Sequence, residues 1–274
     1  MQQKLLWGQE FNQGATALDS QFWSYEIGDG GSKGIPGWGN QEREYYLEEA
    51  FDLTSDGQLR ITATKKPVFS KDNPEGMPSE DNPYLCWYLT ACEWTSGRAL
   101  TEGKVAFKYG RMEARIKMPR GQGTWPAFWM LGTNMPEVGW PQAGEIDIIE
   151  GLGRDPMTAF TTIHGPGYFG GGGISRHAPL EAALADDFHV YAINWTEDRI
   201  EWEIDGEPYF EVTPESVAPN EWVFNQPFYL ILNLAMGGNF AGVVAGDLDH
   251  AELLVDYIRY YQMDGVGELI SYPN

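Results

Sequence analysis

Positive charge is scarce in this 274-residue chain: 18 lysines and arginines stand against 40 aspartates and glutamates, a formal net charge of −22. A chain of that sign has too little Lys and Arg to neutralise phosphates, which excludes nucleic acid as a partner and argues equally against anionic membrane surfaces. A neutral partner is compatible, and the charge also serves solubility. Cysteine is nearly absent. Cys86 and Cys92 are the only two; a disulfide across the short loop between them and two free thiols both fit, so the redox compartment stays open. No apolar run approaches the roughly 18 residues of a membrane span, and the opening "MQQKLLWGQEF" carries no signal-peptide pattern.

Linkers and repeats are missing as well. No Ser/Pro/Gly tract, charge block or composition step divides the chain, so residues 1–274 read as a single domain. Residues 66–83, "KPVFSKDNPEGMPSEDNP", read as a loop within it. Helix signals are few: "PLEAALADDFH" (179–189) predicts a helical turn or two.

What is present is β. Alternating or β-rich runs recur between turn signals: "QLRITATK" (58–65), "KVAFKYG" (104–110), "RMEARIKM" (111–118), "AFTTIHG" (159–165), "HVYAINW" (189–195) and "PFYLILNLAM" (227–236). "RIEWEIDGEPYFEV" (199–212) predicts a hairpin turning at Asp205-Gly206. In "ELLVDYIRYYQ" (252–262) the apolar positions change parity, which predicts a bulge. The sequon Asn194-Trp195-Thr196 falls in a strand-like run, which argues against glycosylation. Many short strands with 33 glycines and 17 prolines give an all-β, antiparallel sandwich.

A sandwich does not need eleven tryptophans. Trp125, Trp129 and Trp140 flank "GEIDIIEG" (144–151), which holds three carboxylates among buried-type isoleucines. By strict alternation Glu145 and Asp147 share a face, and Glu150 falls on the opposite one with Ile146 and Ile148. An unpaired charged glutamate there would be costly. One extra residue, a β-bulge at Ile148–Ile149, returns Glu150 to the face of the other two acids. Crowded carboxylates raise one another's pKa values, so one acid can stay protonated while another stays ionised. Glycoside hydrolysis uses such a pair, and tryptophans beside acids suit the C–H faces and hydroxyls of a neutral glycan. Metal binding is the rival use of the three carboxylates. It needs further ligands, and His164 is the only histidine near them in sequence.

Glu145-Ile-Asp147-Ile-Ile-Glu150 resembles the E-x-D-x-x-E signature of family 16 glycoside hydrolases in its bulged form. "GWGNQEREYY" (37–46), "TSGRALTEGKVAFKYGRMEARIKMPRGQGTWPAFWMLG" (95–132), "WTEDRIEWEIDG" (195–206), "LILNLAMGGNF" (230–240) and "VDYIRYYQ" (255–262) are similar to the laminarinases of that family, the endo-β-1,3-glucanases, in the expected order. The resemblance implies a concanavalin-like β-jelly-roll sandwich with an open concave glycan cleft. It implies retaining hydrolysis with Glu145 as nucleophile, Asp147 as its hydrogen-bonding assistant and Glu150 as general acid/base. Asn40, Arg98, Trp125, Trp129, His164 and Asn233 match positions that face the cleft in relatives; Trp140 joins them by its place before the signature. A salt bridge is the alternative use of Arg98, and a satisfied strand histidine that of His164. The family also implies a structural calcium on the convex side, held by the backbone oxygens of Glu10 and Gly57 and the carboxylate of Asp256, with no cofactor for catalysis. The expected protein is a monomer acting on β-glucan, secreted, with its leader outside this sequence. A mixed-linkage β-1,3-1,4-glucanase, a transglycosylase and a non-catalytic β-glucan-binding lectin are the alternatives. One departure stands out: Asn239-Phe-Ala-Gly242 replaces the relatives' N-W-P-G.

Overall fold

A computed structural model describes residues 2–12, 17–70 and 84–273. Among them are a ten-stranded sheet, a nine-stranded sheet and a two-stranded ribbon. All strand pairs are antiparallel except Glu44–Tyr46 with Trp94–Ser96. The two large sheets face each other in a jelly-roll sandwich. Alternation along each strand fills the space between them: Phe128, Ile146, Leu232 and Leu234 come from one sheet, Tyr191, Trp202 and Val255 from the other, and all lie in one buried cluster.

The predicted strands form at the expected places. The hairpin Ile200–Ile204 to Glu207–Val212 turns through Asp205 (φ 53°) and Gly206 (φ 84°). Two positive φ values match the right-handed twist of the flanking strands, and Asp and Gly tolerate them. The long strand His250–Met263 shifts register between Val255 and Tyr257, with Asp256 as the extra residue. Asn194 lies in the strand His189–Trp195, and its side chain bonds Arg111, Glu201 and Glu203. Cys86 and Cys92 are joined in a disulfide.

Two expectations need correction. Residues 179–189 form no helix: Pro179 ends the strand Ile174–Pro179, and bends and turns follow. Tertiary bonds claim the backbone there, Leu180 N–H donating to Met157 O and Leu184 N–H to Pro156 O, while Leu184 O accepts from Met118 N–H. Leu184 is buried in the core as a result, so packing overrides helix propensity. The expected loop 66–83 contains a short strand, Val68–Phe69, paired with Ala91–Cys92. Residues 71–83 of that loop lie outside the described residues.

The nine-stranded sheet positions the acids. Its order runs Ile174–Pro179, Asp155–His164, Glu145–Leu152, Thr124–Gly132, Phe228–Met236, Val105–Lys108 and Glu268–Ser271, with Arg98–Leu100 pairing the Phe228–Met236 strand. Side chains on its outer face, away from the core, form cross-strand rows. One row is His164, Glu145, Leu131, Tyr229; the next is Thr162, Asp147, Trp129, Ile231; the third is Phe160, Glu150, Ala127, Asn233, Arg98.

Candidate active site

The strand Glu145–Leu152 carries the bulge. Phe128 pairs with Ile149 and Trp129 with Asp147, so Ile148 is the residue without a counterpart. On the other side Asp147 pairs with Thr162 and Glu150 with Phe160, two residues against one. Ile146, Ile148 and Ile149 all enter the core, and Glu145, Asp147 and Glu150 all occupy the outer rows. A bulge disturbs the ladder and must satisfy its carbonyls elsewhere. Thr161 Oγ1 donates to Asp147 O at 2.9 Å and to Ile148 O at 3.0 Å. Trp202 Nε1, from the opposite sheet, reaches through the core to Asp147 O at 3.0 Å. Neither residue was singled out from sequence, because a hydroxyl aimed at a bulge carbonyl leaves no local pattern.

Each glutamate is held by an indole. Trp140 Nε1 donates to Glu145 Oε2 at 2.6 Å, and Trp125 Nε1 to Glu150 Oε1 at 2.8 Å. Asp147 lies between them, 3 % exposed. His164 Nε2 is 3.3 Å from Asp147 Oδ2 and 3.9 Å from Glu145 Oε1. Asp147 Oδ2 and His164 Nδ1 are buried with no hydrogen-bond partner among the described residues. Apolar side chains flank the acids: Leu100, Leu131, Tyr229 and Ile231 with Trp129 on one side, Leu152, Phe160 and Ala241 with Trp125 and Phe240 on the other.

Burial raises the pKa of all three acids, because a low-dielectric site disfavours charge. Glu145 is raised well above the carboxylate range by burial and then by Asp147, opposed by His164 and by the Trp140 N–H. Asp147 is raised by burial and by Glu150, opposed by its hydrogen bond with Glu145. Glu150 is pushed to about 7 by burial, with the Trp125 N–H opposing and Glu145 adding. Glu150, with its pKa near 7, is divided between acid and carboxylate at neutral pH, and its two neighbours also resist ionisation. The arrangement can therefore present a carboxylic acid and a carboxylate on one surface.

The remaining predicted residues divide. Trp129 Nε1 donates to Asn233 Oδ1 at 2.8 Å, and Asn233 Nδ2 to the Tyr46 hydroxyl at 3.2 Å. Tyr46 donates to Glu42 Oε2 at 3.3 Å, and Asn40 Nδ2 to Glu42 Oε1 at 3.0 Å. Asn40 is thus linked to the acids' surface through this relay. Glu44, fully buried beside it, is raised by burial and then by Glu42, and accepts the Met236 N–H. Arg98 lies in the row of Glu150 and Asn233. It pairs with Glu26, and its guanidinium stacks 4.4 Å from the Trp38 ring and 5.1 Å from the Trp129 ring. Tyr46, Glu42, Glu26 and Trp38 were missed as individuals, although three lie in the quoted stretch 37–46. Phe240, in the departing segment, packs edge-on against both Trp125 and Phe160 at 5.4 Å.

Two groups have metal-ligand geometry among the described residues. One ligand atom each from Glu145, Asp147 and His164 falls within 4.8 Å of the others, as for Asp29, Cys86 and Cys92. The sulfurs of the second group are joined to each other. Glu10, Gly57 and Asp256 lie elsewhere, by the ten-stranded sheet. Gln9 pairs with Ile258 and Leu59 with Val255, which brings the three toward the middle of the His250–Met263 strand. The Glu10 carboxylate bonds Arg259, and Asp256 Oδ2 accepts from Arg115 at 2.8 Å.

A family model, "Glycosyl hydrolases family 16", matches residues 44–258. A glucan endo-1,3-beta-glucosidase A1 of Niallia circulans is 37 % identical over 94 % of this chain, which spans 38 % of that protein's length. A beta-glucanase of Rhodothermus marinus is 35 % identical, with 94 % of this chain and 85 % of that protein covered. The solved laminarinase catalytic domain from Thermotoga maritima MSB8 superposes with a TM-score of 0.86 at 42 % identity, covering 96 % of this chain and 99 % of its own.

The pKa of Glu150 makes a stability prediction. Its folded value, about 7, exceeds the ordinary glutamate value of about 4.3. The stabilisation is therefore complete below about pH 4.3 and is lost as pH rises to about 7, by about 4 kcal/mol. Glu150→Gln removes that dependence. Its melting temperature is expected to exceed the wild type's above pH 7, with the difference shrinking toward pH 4.5, as measured by thermal denaturation across pH.

Proposed function

The chain belongs to the glycosyl hydrolases of family 16, and from that premise we propose that it hydrolyses internal β-1,3-glucosidic bonds of β-glucans with retention of configuration. The observation that carries this reading is the bulged strand. It places Glu145, Asp147 and Glu150 on one surface, with a tryptophan N–H on each glutamate.

Glu145, as carboxylate, attacks the anomeric carbon of the glucosyl unit while Glu150 gives its proton to the departing glycosidic oxygen. A covalent glycosyl-enzyme results. Glu150, now a carboxylate, takes a proton from water; the water oxygen attacks the same carbon and frees Glu145. A Glu150 pKa near 7 suits a group that must be acid in one step and base in the next. Asp147, buried between the two glutamates and hydrogen-bonded to Glu145, assists the nucleophile. Trp125, Trp129, Trp140 and His164 supply stacking and hydrogen-bonding surface to the glucan. Asn233 acts beside Trp129, Arg98 backs the Trp129 ring, and Asn40 joins them through Glu42.

A β-1,3-1,4-glucanase would use the same acids. Product analysis on laminarin, lichenan and agarose in parallel separates the readings: laminarin is expected to be cleaved best and agarose not at all. Laminarin bound but not cleaved would indicate a lectin instead. The chain is read as one secreted, monomeric catalytic domain.

Glu145→Ala and Glu150→Ala are each expected to abolish most hydrolysis with an unchanged circular dichroism spectrum. Azide should rescue Glu145→Gly on an activated substrate to an inverted glycosyl azide, and Glu150→Gly to a retained one. Near-normal turnover of laminarin by either folded alanine variant would sink the assignment.

The calcium belongs to the same proposal. The backbone oxygens of Glu10 and Gly57 and the carboxylate of Asp256 are hard oxygen donors suited to that ion. Asp256 would have to exchange its Arg115 partner for the ion. Calcium is then expected to raise the melting temperature by mass action without being needed for turnover. A chelated sample that stays folded but loses activity would contradict this.

A further inference from the structure

Phe169 is a large apolar side chain, 49 % exposed, beside Trp140, itself 41 % exposed. Its position is built. Gly165 and Tyr168 exchange backbone hydrogen bonds, closing the turn just before it. Tyr168 is buried, and its hydroxyl donates to Glu221 O at 2.8 Å. That turn tolerates only glycine at 165, because a Cβ there would lie 2.3 Å from the Tyr168 hydroxyl oxygen. On its far side the chain folds against His164: a Cβ on Gly173 would stand 2.6 Å from His164 Cε1. Phe169 is thus presented between an anchored turn and a segment laid on a site histidine. Its ring meets Trp140 edge to face, with centroids 5.6 Å apart. Trp140 in turn bonds Glu145.

An exposed aromatic pair joined to a reacting carboxylate has one occupant that continues the proposed cleft, a glucosyl unit of the same chain. Its C–H face has the width of a ring, and water is displaced from apolar surface when the two stack. We propose that Phe169 and Trp140 form an aromatic platform for a glucosyl unit on the Glu145 side of the cleft, and that Phe169 is a specificity-determining residue. The inference rests on the glucanase reading above. Phe169 contributes affinity for chains long enough to reach the platform.

Steady-state kinetics on laminarihexaose test it, with wild type, Phe169→Ala, Phe169→Leu and Phe169→Tyr side by side. The alanine and leucine variants should raise KM about 3- to 10-fold, the range of one aromatic contact, with kcat within about twofold. Tyrosine, which keeps the flat face, should stay within about twofold of wild type in both. A purely structural Phe169 would instead lower kcat or move the pH profile at unchanged KM, with leucine restoring function; either result overturns the proposal. Equal KM in all four proteins overturns it alone. A wild type that cleaves no laminarin or laminarihexaose overturns the glucanase reading together with it.

Discussion

One surplus residue in one strand sets the chemistry of this molecule. Without Ile148 opposite an empty position in the neighbouring strands, Glu150 would point into the sandwich and the acids would be split between two environments. The bulge costs regular ladder bonds, and the structure compensates from both layers. Thr161 comes from the adjacent strand and Trp202 from the opposite sheet, and both donate to the bulge carbonyls. The Trp202 bond ties the register of the site to the packing of the two sheets, so the core holds the carboxylates in place as well as stabilising the fold.

The second constraint is electrostatic. Three carboxylates on a largely apolar surface oppose the fold whenever they ionise, and their raised pKa values express that opposition. The sandwich tolerates it because the cost is local and the core is extensive. What the site gains is an acid, Glu150, whose proton moves near neutral pH. Indole N–H groups suit this role: each stabilises a carboxylate without adding a full charge, whereas an arginine would pull the pKa down and fix the acid as an anion. Accordingly Arg98, the arginine expected at this surface, is neutralised by Glu26 and enclosed between Trp38 and Trp129.

Much of this was legible in the sequence. The parity conflict in Glu145–Glu150 required a bulge, because three isoleucines and three acids cannot all be satisfied by a regular strand. The Asp205-Gly206 hairpin and the irregular strand containing Asp256 were legible for the same reason, local geometry expressed in local residues. The clustering of Trp125, Trp129 and Trp140 with the acids was visible, but not their bonds. What sequence could not supply is non-local: the relay from Trp129 through Asn233 and Tyr46 to Glu42 spans separations of 104 and 187 residues. The helical expectation for residues 179–189 failed because tertiary carbonyls and amides claimed the backbone. The Cys86–Cys92 pairing was open for a related reason, since spacing alone does not set whether two thiols meet.

The register of the Glu145–Leu152 strand is the most direct test. Deleting Ile149 leaves Glu-Ile-Asp-Ile-Glu, whose acids share a face by plain alternation, with Ile148 taking the place opposite Phe128. The account predicts measurable laminarin hydrolysis by this variant despite a loss of about 2–5 kcal/mol of stability from the missing core side chain. It predicts none from a variant with one further residue inserted between Ile148 and Ile149, which turns Glu150 back toward the core. A folded deletion variant with no activity, or a folded insertion variant that hydrolyses laminarin, would contradict it.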